Sequence, residues 1–92
     1  MRVKEFKRRT LEIIDRKIDE NVAKEMYILT SINHVLPVEC RNFTTGTQIA
    51  LIREELNKNP NEMIKCRLIE RENLMKDNEE LLKLRNEINS IC

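Results

Sequence analysis

The sequence predicts an all-α protein of two long amphipathic helices and one short helix, packed as a helical hairpin or bundle that self-associates. Three observations lead there. Apolar residues recur at steps of three and four over two stretches of about thirty residues, a spacing that gathers them on one side of a helix. A single Gly and two Pro punctuate 92 residues, too few turn signals for an all-β fold. Good helix formers (Leu, Glu, Lys, Arg) are abundant, whereas aromatic residues make up 3%.

The first helix is expected over 3–34. Its stripe is Val3, Phe6, Leu11, Ile14, Ile18, Val22, Met26, Leu29 and Ile32, with Ile13 and Ile28 off to the side. Glu5–Arg9, Glu12–Arg16 and Glu20–Lys24 place an acid one turn before a base, each pair worth about 0.2–0.5 kcal/mol. Pro37 ends the helix, because the residue before a proline is pushed out of the α region. Residues 36–46 lack periodicity, hold Gly46 and cluster Asn and Thr, so they read as a loop. Thr44, Thr45 or Thr47 supplies the N-cap of a short helix over 47–57, with Ile49, Ile52 and Leu56 on one face.

A third helix is expected over 60–90, with Asn59 as N-cap, Pro60 at the first position and Glu62 reaching back. Leu74, Leu81 and Ile88 are seven apart, and Leu84 and Ile91 lie three residues further on. This is a short coiled-coil register that Asp77 interrupts one turn earlier. Ile69 and Leu82 fall off the stripe.

Residues 1–92 form one domain, with 40% hydrophobic and 36% charged residues: a narrow core under a heavily charged surface. Abundant Ile, Lys and Asn match the usage of an AT-rich genome, such as that of a low-GC bacterium or a virus. A helix of thirty residues spans about 45 Å, more than a compact domain of this size can flank. The apolar stripes must be covered by a hairpin, by other copies, or by both. A homo-oligomer is the expectation, with Leu11, Ile14, Ile18, Val22, Leu29, Leu74, Leu81, Leu84, Ile88 and Ile91 carrying the contacts.

The segment that looks least like scaffold is Arg41, Asn42, Phe43, Thr44, Thr45, Gly46, Thr47 and Gln48. A Thr/Gly turn opening a helix offers backbone N–H groups and the positive end of the helix dipole to a phosphate-bearing small molecule such as a nucleotide. Arg41 adds a cation and Phe43 a stacking surface. The same residues also make an ordinary N-cap, and no Walker-type glycine spacing or Lys accompanies them.

Other chemistries find little support. His34 is the sole histidine, beside Cys40 at a spacing unlike a zinc site; it reads as a cation near a helix end. There is no Gly-x-Ser-x-Gly motif, and the carboxylates mostly sit one turn from bases, as on solvated faces. No metal and no cofactor is implied, and the chain reads as a non-enzymatic protein that docks on, blocks or sequesters a protein partner. Arg2, Lys4, Lys7, Arg8 and Arg9 make a basic N-terminus, the basis for a nucleic-acid accessory reading. The net charge of +1 and the scarcity of aromatics weigh against it. Cys40, Cys66 and Cys92 are odd in number and widely spaced, which predicts reduced thiols in a cytoplasmic compartment. Charges interrupt every apolar run, and no apolar segment follows the basic start, so neither a membrane span nor a secretory leader is expected.

Overall fold

The computed structural model describes residues 2–91. Helix α1 runs Val3–Ile32, α2 Thr45–Lys58 and α3 Glu62–Asn89, with short 3-10 turns at Asn33–Val35 and Val38–Asn42. The described residues contain no strand. The fold is all-α, with α1 and α3 as a long antiparallel hairpin.

The helix ends depart slightly from the sequence expectation, each for a local reason. α1 stops at Ile32 rather than at 34, because Asn33–Val35 tightens into a 3-10 turn and Leu36 then extends (φ −94°, ψ 151°), as a residue before proline must. The stretch expected as plain loop, 36–46, holds the second 3-10 turn. α2 begins at Thr45, not at residue 47, since Thr44 is the N-cap and its hydroxyl accepts the Thr47 N–H. α3 begins at Glu62, not at residue 60. Asn61 caps it by accepting the Ile64 N–H, whereas Asn59 closes α2 through its backbone N–H and its side-chain amide, both donated to Glu55. Pro60 lies in the connector.

The hairpin register is fixed by contacts along its length. Lys7 Nζ donates to the carbonyls of Asn89 (3.0 Å) and Ile91 (3.1 Å), Arg85 Nε to Asp15 Oδ1 (2.7 Å), and Asn21 Nδ2 to Asn78 Oδ1 (2.8 Å). On α1 the seam is Lys7, Leu11, Ile14, Ile18, Asn21, Glu25, Ile28 and Ile32. On α3 it is Ile64, Arg67, Arg71, Leu74, Asn78, Leu81, Arg85 and Ile88. Every one of these is buried or half-buried. The steps alternate between three and four, as in an antiparallel coiled coil.

Two stripe assignments are corrected by this seam. Ile28, placed off the α1 stripe by sequence, is 2% exposed, while Val22 and Met26 face outward. On α3 the seam steps from Leu74 and Leu81 to Asn78 and Arg85, not to Asp77 and Leu84. Asn21 with Asn78, and Arg85 with Asp15, are tolerated there because each has a polar partner across the hairpin.

α2 packs across the end where α1 finishes and α3 starts. There Ile28, Ile32, Leu36, Ile49, Ile52, Ile64 and Leu68 form the core, with Leu29, Leu51, Leu56 and Leu74 against it. Burying each such side chain contributes roughly 1.5–3 kcal/mol. The other half of the hairpin has no third helix. The molecule measures 56 × 23 × 17 Å with a radius of gyration of 17.4 Å, well above the roughly 13 Å of a compact domain this size. Among the described residues no helix is long and apolar enough to cross a membrane.

Candidate functional site

Two regions invite a functional reading: the turn that opens α2 and the flanks of the hairpin. In the turn, Arg41, Asn42, Phe43, Thr44, Thr45, Gly46 and Thr47 are exposed and Gln48 is buried. Gln48 folds back under the turn and donates through Nε2 to the carbonyls of Phe43 (2.8 Å) and Arg41 (3.3 Å); its Oε1 is buried without a partner. The Thr44 and Thr47 hydroxyls lie 2.9 Å apart, and Thr44 Oγ1 accepts the Thr47 N–H at 3.3 Å. These polar groups therefore hold the turn itself together. Gly46 adopts no positive φ, and a Cβ there would meet nothing within 4 Å, so no close backbone approach requires the glycine.

Thr45 also lines a cleft of about 300 Å³ with Glu25, Met26, Leu29, Thr30 and Arg71. Arg71 donates to Met75 Sδ at 3.1 Å, while its Nε is buried and unpartnered. Glu25 sits in the same wall, so the cleft offers an anion one cation and one opposing carboxylate. A larger groove, about 500 Å³, lies between α2 and α3 and is lined by Leu56, Leu68, Ile69 and Lys65, with the Arg53–Glu72 ion pair at its edge.

The remaining candidates are quickly placed. His34 Nδ1 lies 3.0 Å from Ser31 O, where the ring N–H donates to the last turn of α1. Cys40 is half-buried and Cys66 exposed, both as free thiols; Cys92 lies outside the described residues. No group of His, Cys, Asp and Glu able to hold a metal occurs among the described residues. Of the N-terminal cations, Lys7 closes onto the carbonyl end of α3, where a positive charge meets the negative end of the dipole. Arg8 pairs with Glu12 and Arg9 with Glu5.

The ten residues assigned from sequence to contacts between chains fall into two sets. Ile14 and Ile88 are buried within one chain, and Leu11, Ile18, Leu29, Leu74 and Leu81 are half-buried. Val22, Leu84 and Ile91 are exposed. A single hairpin thus covers much of the stripe but leaves its flanks open. One flank carries α2, which reaches Leu29 and Leu68. The opposite flank is uncovered along the whole hairpin. There Phe6 and Ile13, seven apart on α1, and Leu84 and Ile91, seven apart on α3, each show between 43% and 60% of their surface. A shallow cleft between these rows is lined by Lys17, Asp77, Glu80, Leu81 and Leu84.

This flank also sorts its charge by helix. α1 presents Lys17 and Lys24 with Glu20 between them, and α3 presents Asp77, Glu80 and Glu87. Apart from Glu20, which is likewise free of ion pairs, the two rows are opposite in sign, and none of these side chains forms an ion pair with another described residue. On the α2 side, by contrast, Glu72 and Asp15 are closed onto Arg53 and Arg85. Sequence reading missed this sorting, and it missed Asn21, Asn78 and Arg85. The available signal was the seven-residue spacing of Arg71, Asn78 and Arg85, which becomes visible only when polar residues are admitted to a heptad. Compared with known proteins, the chain matches no protein-family model, no curated protein and no solved structure.

Proposed function

We propose that this chain is a non-enzymatic interaction protein that self-associates through its two long helices and acts by docking on, blocking or sequestering another protein. The observation that carries this reading is the uncovered flank of the hairpin, where Phe6, Ile13, Leu84 and Ile91 stand about half exposed in a row. Large apolar side chains so aligned lower their free energy by leaving water, roughly 25 cal/mol per Å² removed, and contiguous exposed patches mark interaction surfaces. The polar turn at 41–48 supports a ligand reading less well, since Gln48 and the threonine hydroxyls are engaged within it.

Sedimentation equilibrium tests the proposal. The expected result is a mass above the 11.0 kDa of one chain at micromolar concentration. Ile13→Asp and Leu84→Asp should lower that mass and leave the helical circular dichroism intact, because both side chains stand outside the seam. Ile18 and Leu81 are unsuitable probes, since a charge there would break the hairpin itself. A wild-type chain that stays single at 100-fold higher concentration rejects self-association.

A further inference from the structure

The self-association proposed above leaves open what partner takes the uncovered flank and in what orientation two copies would meet, and the charge sorting there constrains both. We infer that the partner on this flank is a second copy of the chain, related by a two-fold axis parallel to the hairpin, so that α1 of each copy lies over α3 of the other. The inference rests on that self-association reading.

The geometry follows from the hairpin's own register. Residue 7 stands at the height of residue 91, 15 at that of 85, and 21 at that of 78. Rotation about an axis along the hairpin keeps every residue at its height and exchanges the two helices. Phe6 of one copy then meets the level of Ile91 of the other, and Ile13 that of Leu84. Lys17 meets the level of Glu80 and Lys24 comes within about one turn of Asp77, with Glu20 between them at the level of Asp77. Apolar rows meet apolar rows at the open end, and the α1 row, positive on balance despite Glu20, meets the acidic α3 row in the middle. The alternative two-fold, perpendicular to the helices, would set α1 over α1 and α3 over α3, opposing base to base and acid to acid, which is destabilising. A flank as long as the 56 Å molecule accommodates the roughly 800 Å² per partner of a standard interface. The product is a four-helix bundle in which every neighbouring pair is antiparallel.

Charge reversal in matched pairs tests this. Lys17→Glu with Lys24→Glu makes both rows of one variant acidic. Asp77→Lys with Glu80→Lys makes both rows of a second variant positive on balance. Each variant alone should self-associate at least tenfold more weakly than wild type at low salt, with unchanged helicity. An equimolar mixture should restore a one-to-one heterodimer, read by sedimentation velocity and native mass spectrometry. A control on the α2 side, Glu79→Lys, should leave the wild-type association intact. If the wild type associates but the two variants do so equally well, or their mixture stays apart, this face and orientation are wrong while self-association stands. If the wild type is itself monomeric at every concentration, both are wrong, and the flank belongs to a helix of another protein.

Discussion

The two ends of this molecule are built from the same two helices and differ by the presence of a third. At the α2 end, seven aliphatic side chains close into a core, and Ile32 and Ile52 are fully shielded from water. Among the described residues of the open end Ile14 and Ile88 alone are buried; Leu81 is half-buried and Leu84 exposed. Leu81 and Leu84 are as apolar as Leu68. What separates them is the number of neighbouring helices, since two helices shield a seam one residue deep and a third shields a flank. The open end therefore draws specificity from polar contacts across its seam, and it keeps apolar surface available for a partner.

The comparison is tested most severely by cavity mutations. Ile32→Ala or Ile52→Ala at the α2 end should cost about 2–5 kcal/mol, the range for deleting a fully buried aliphatic side chain. That is a large share of the 5–15 kcal/mol typical of a domain, so the urea midpoint should collapse. Leu81→Ala at the open end should cost less than about 2 kcal/mol, because part of that side chain is wet already. Equal losses at the two ends would show that the open end is covered in solution as thoroughly as the α2 end.

The next largest effect concerns the hairpin's centre. Asn21 is 1% exposed and its amide donates to Asn78. Asn21→Ala should cost about 1–3 kcal/mol by stranding that acceptor. Asn21→Leu together with Asn78→Leu should be no less stable than wild type, yet should lose the fixed register, because a buried polar pair selects one alignment of two helices among several apolar ones. Disulfide formation between cysteines introduced at Asp15 and Arg85 reads the register directly: efficient in wild type, diminished in the double Leu variant. An unchanged yield would place the register elsewhere, in Lys7 and the apolar seam.

How much of this was legible beforehand depended on whether the local signal was apolar. The helices, the break at Pro37 and the face of α2 followed from periodicity and proline geometry, which act within a few residues. The seam did not, because at Asn21, Glu25, Asn78 and Arg85 it is polar. The choice between Val22 and Asn21 as the inward residue is made across the hairpin, by Asn78, at a sequence separation of 57. The same limit applied to the i,i+4 pairs. Glu5–Arg9 closes at 3.0 Å, but Glu12 turns to Arg8 rather than to Arg16. At the Arg41–Gln48 turn the residue types were legible, but not the direction of Gln48, which tertiary packing sets.

Capping gives a smaller contrast between local and tertiary control. Thr44→Ala should cost about 1 kcal/mol by exposing the Thr47 N–H at the start of α2. Asn61→Ala should cost about as much at the start of α3. Thr44→Asn should recover most of the loss, measured by thermal melts, since Asn caps equally well. A loss under a few tenths of a kcal/mol would mean that packing of Ile49 and Ile52, rather than the cap, fixes where α2 begins.

The smallest effect lies in the ion pair that joins the hairpin's open end. Asp15 and Arg85 meet at 2.7 Å, but half of the Asp15 side chain and more than a third of the Arg85 side chain remain in water. Coulomb attraction in such surroundings is largely offset by hydration and by the entropy of fixing two side chains, leaving about 0–1 kcal/mol. Asp15→Asn should therefore shift the urea midpoint by less than either cap mutation, and the shift should shrink further at high salt. A loss above about 2 kcal/mol that persists in salt would instead require the pair to be buried in solution. The open end would then be covered by something beyond its own two helices.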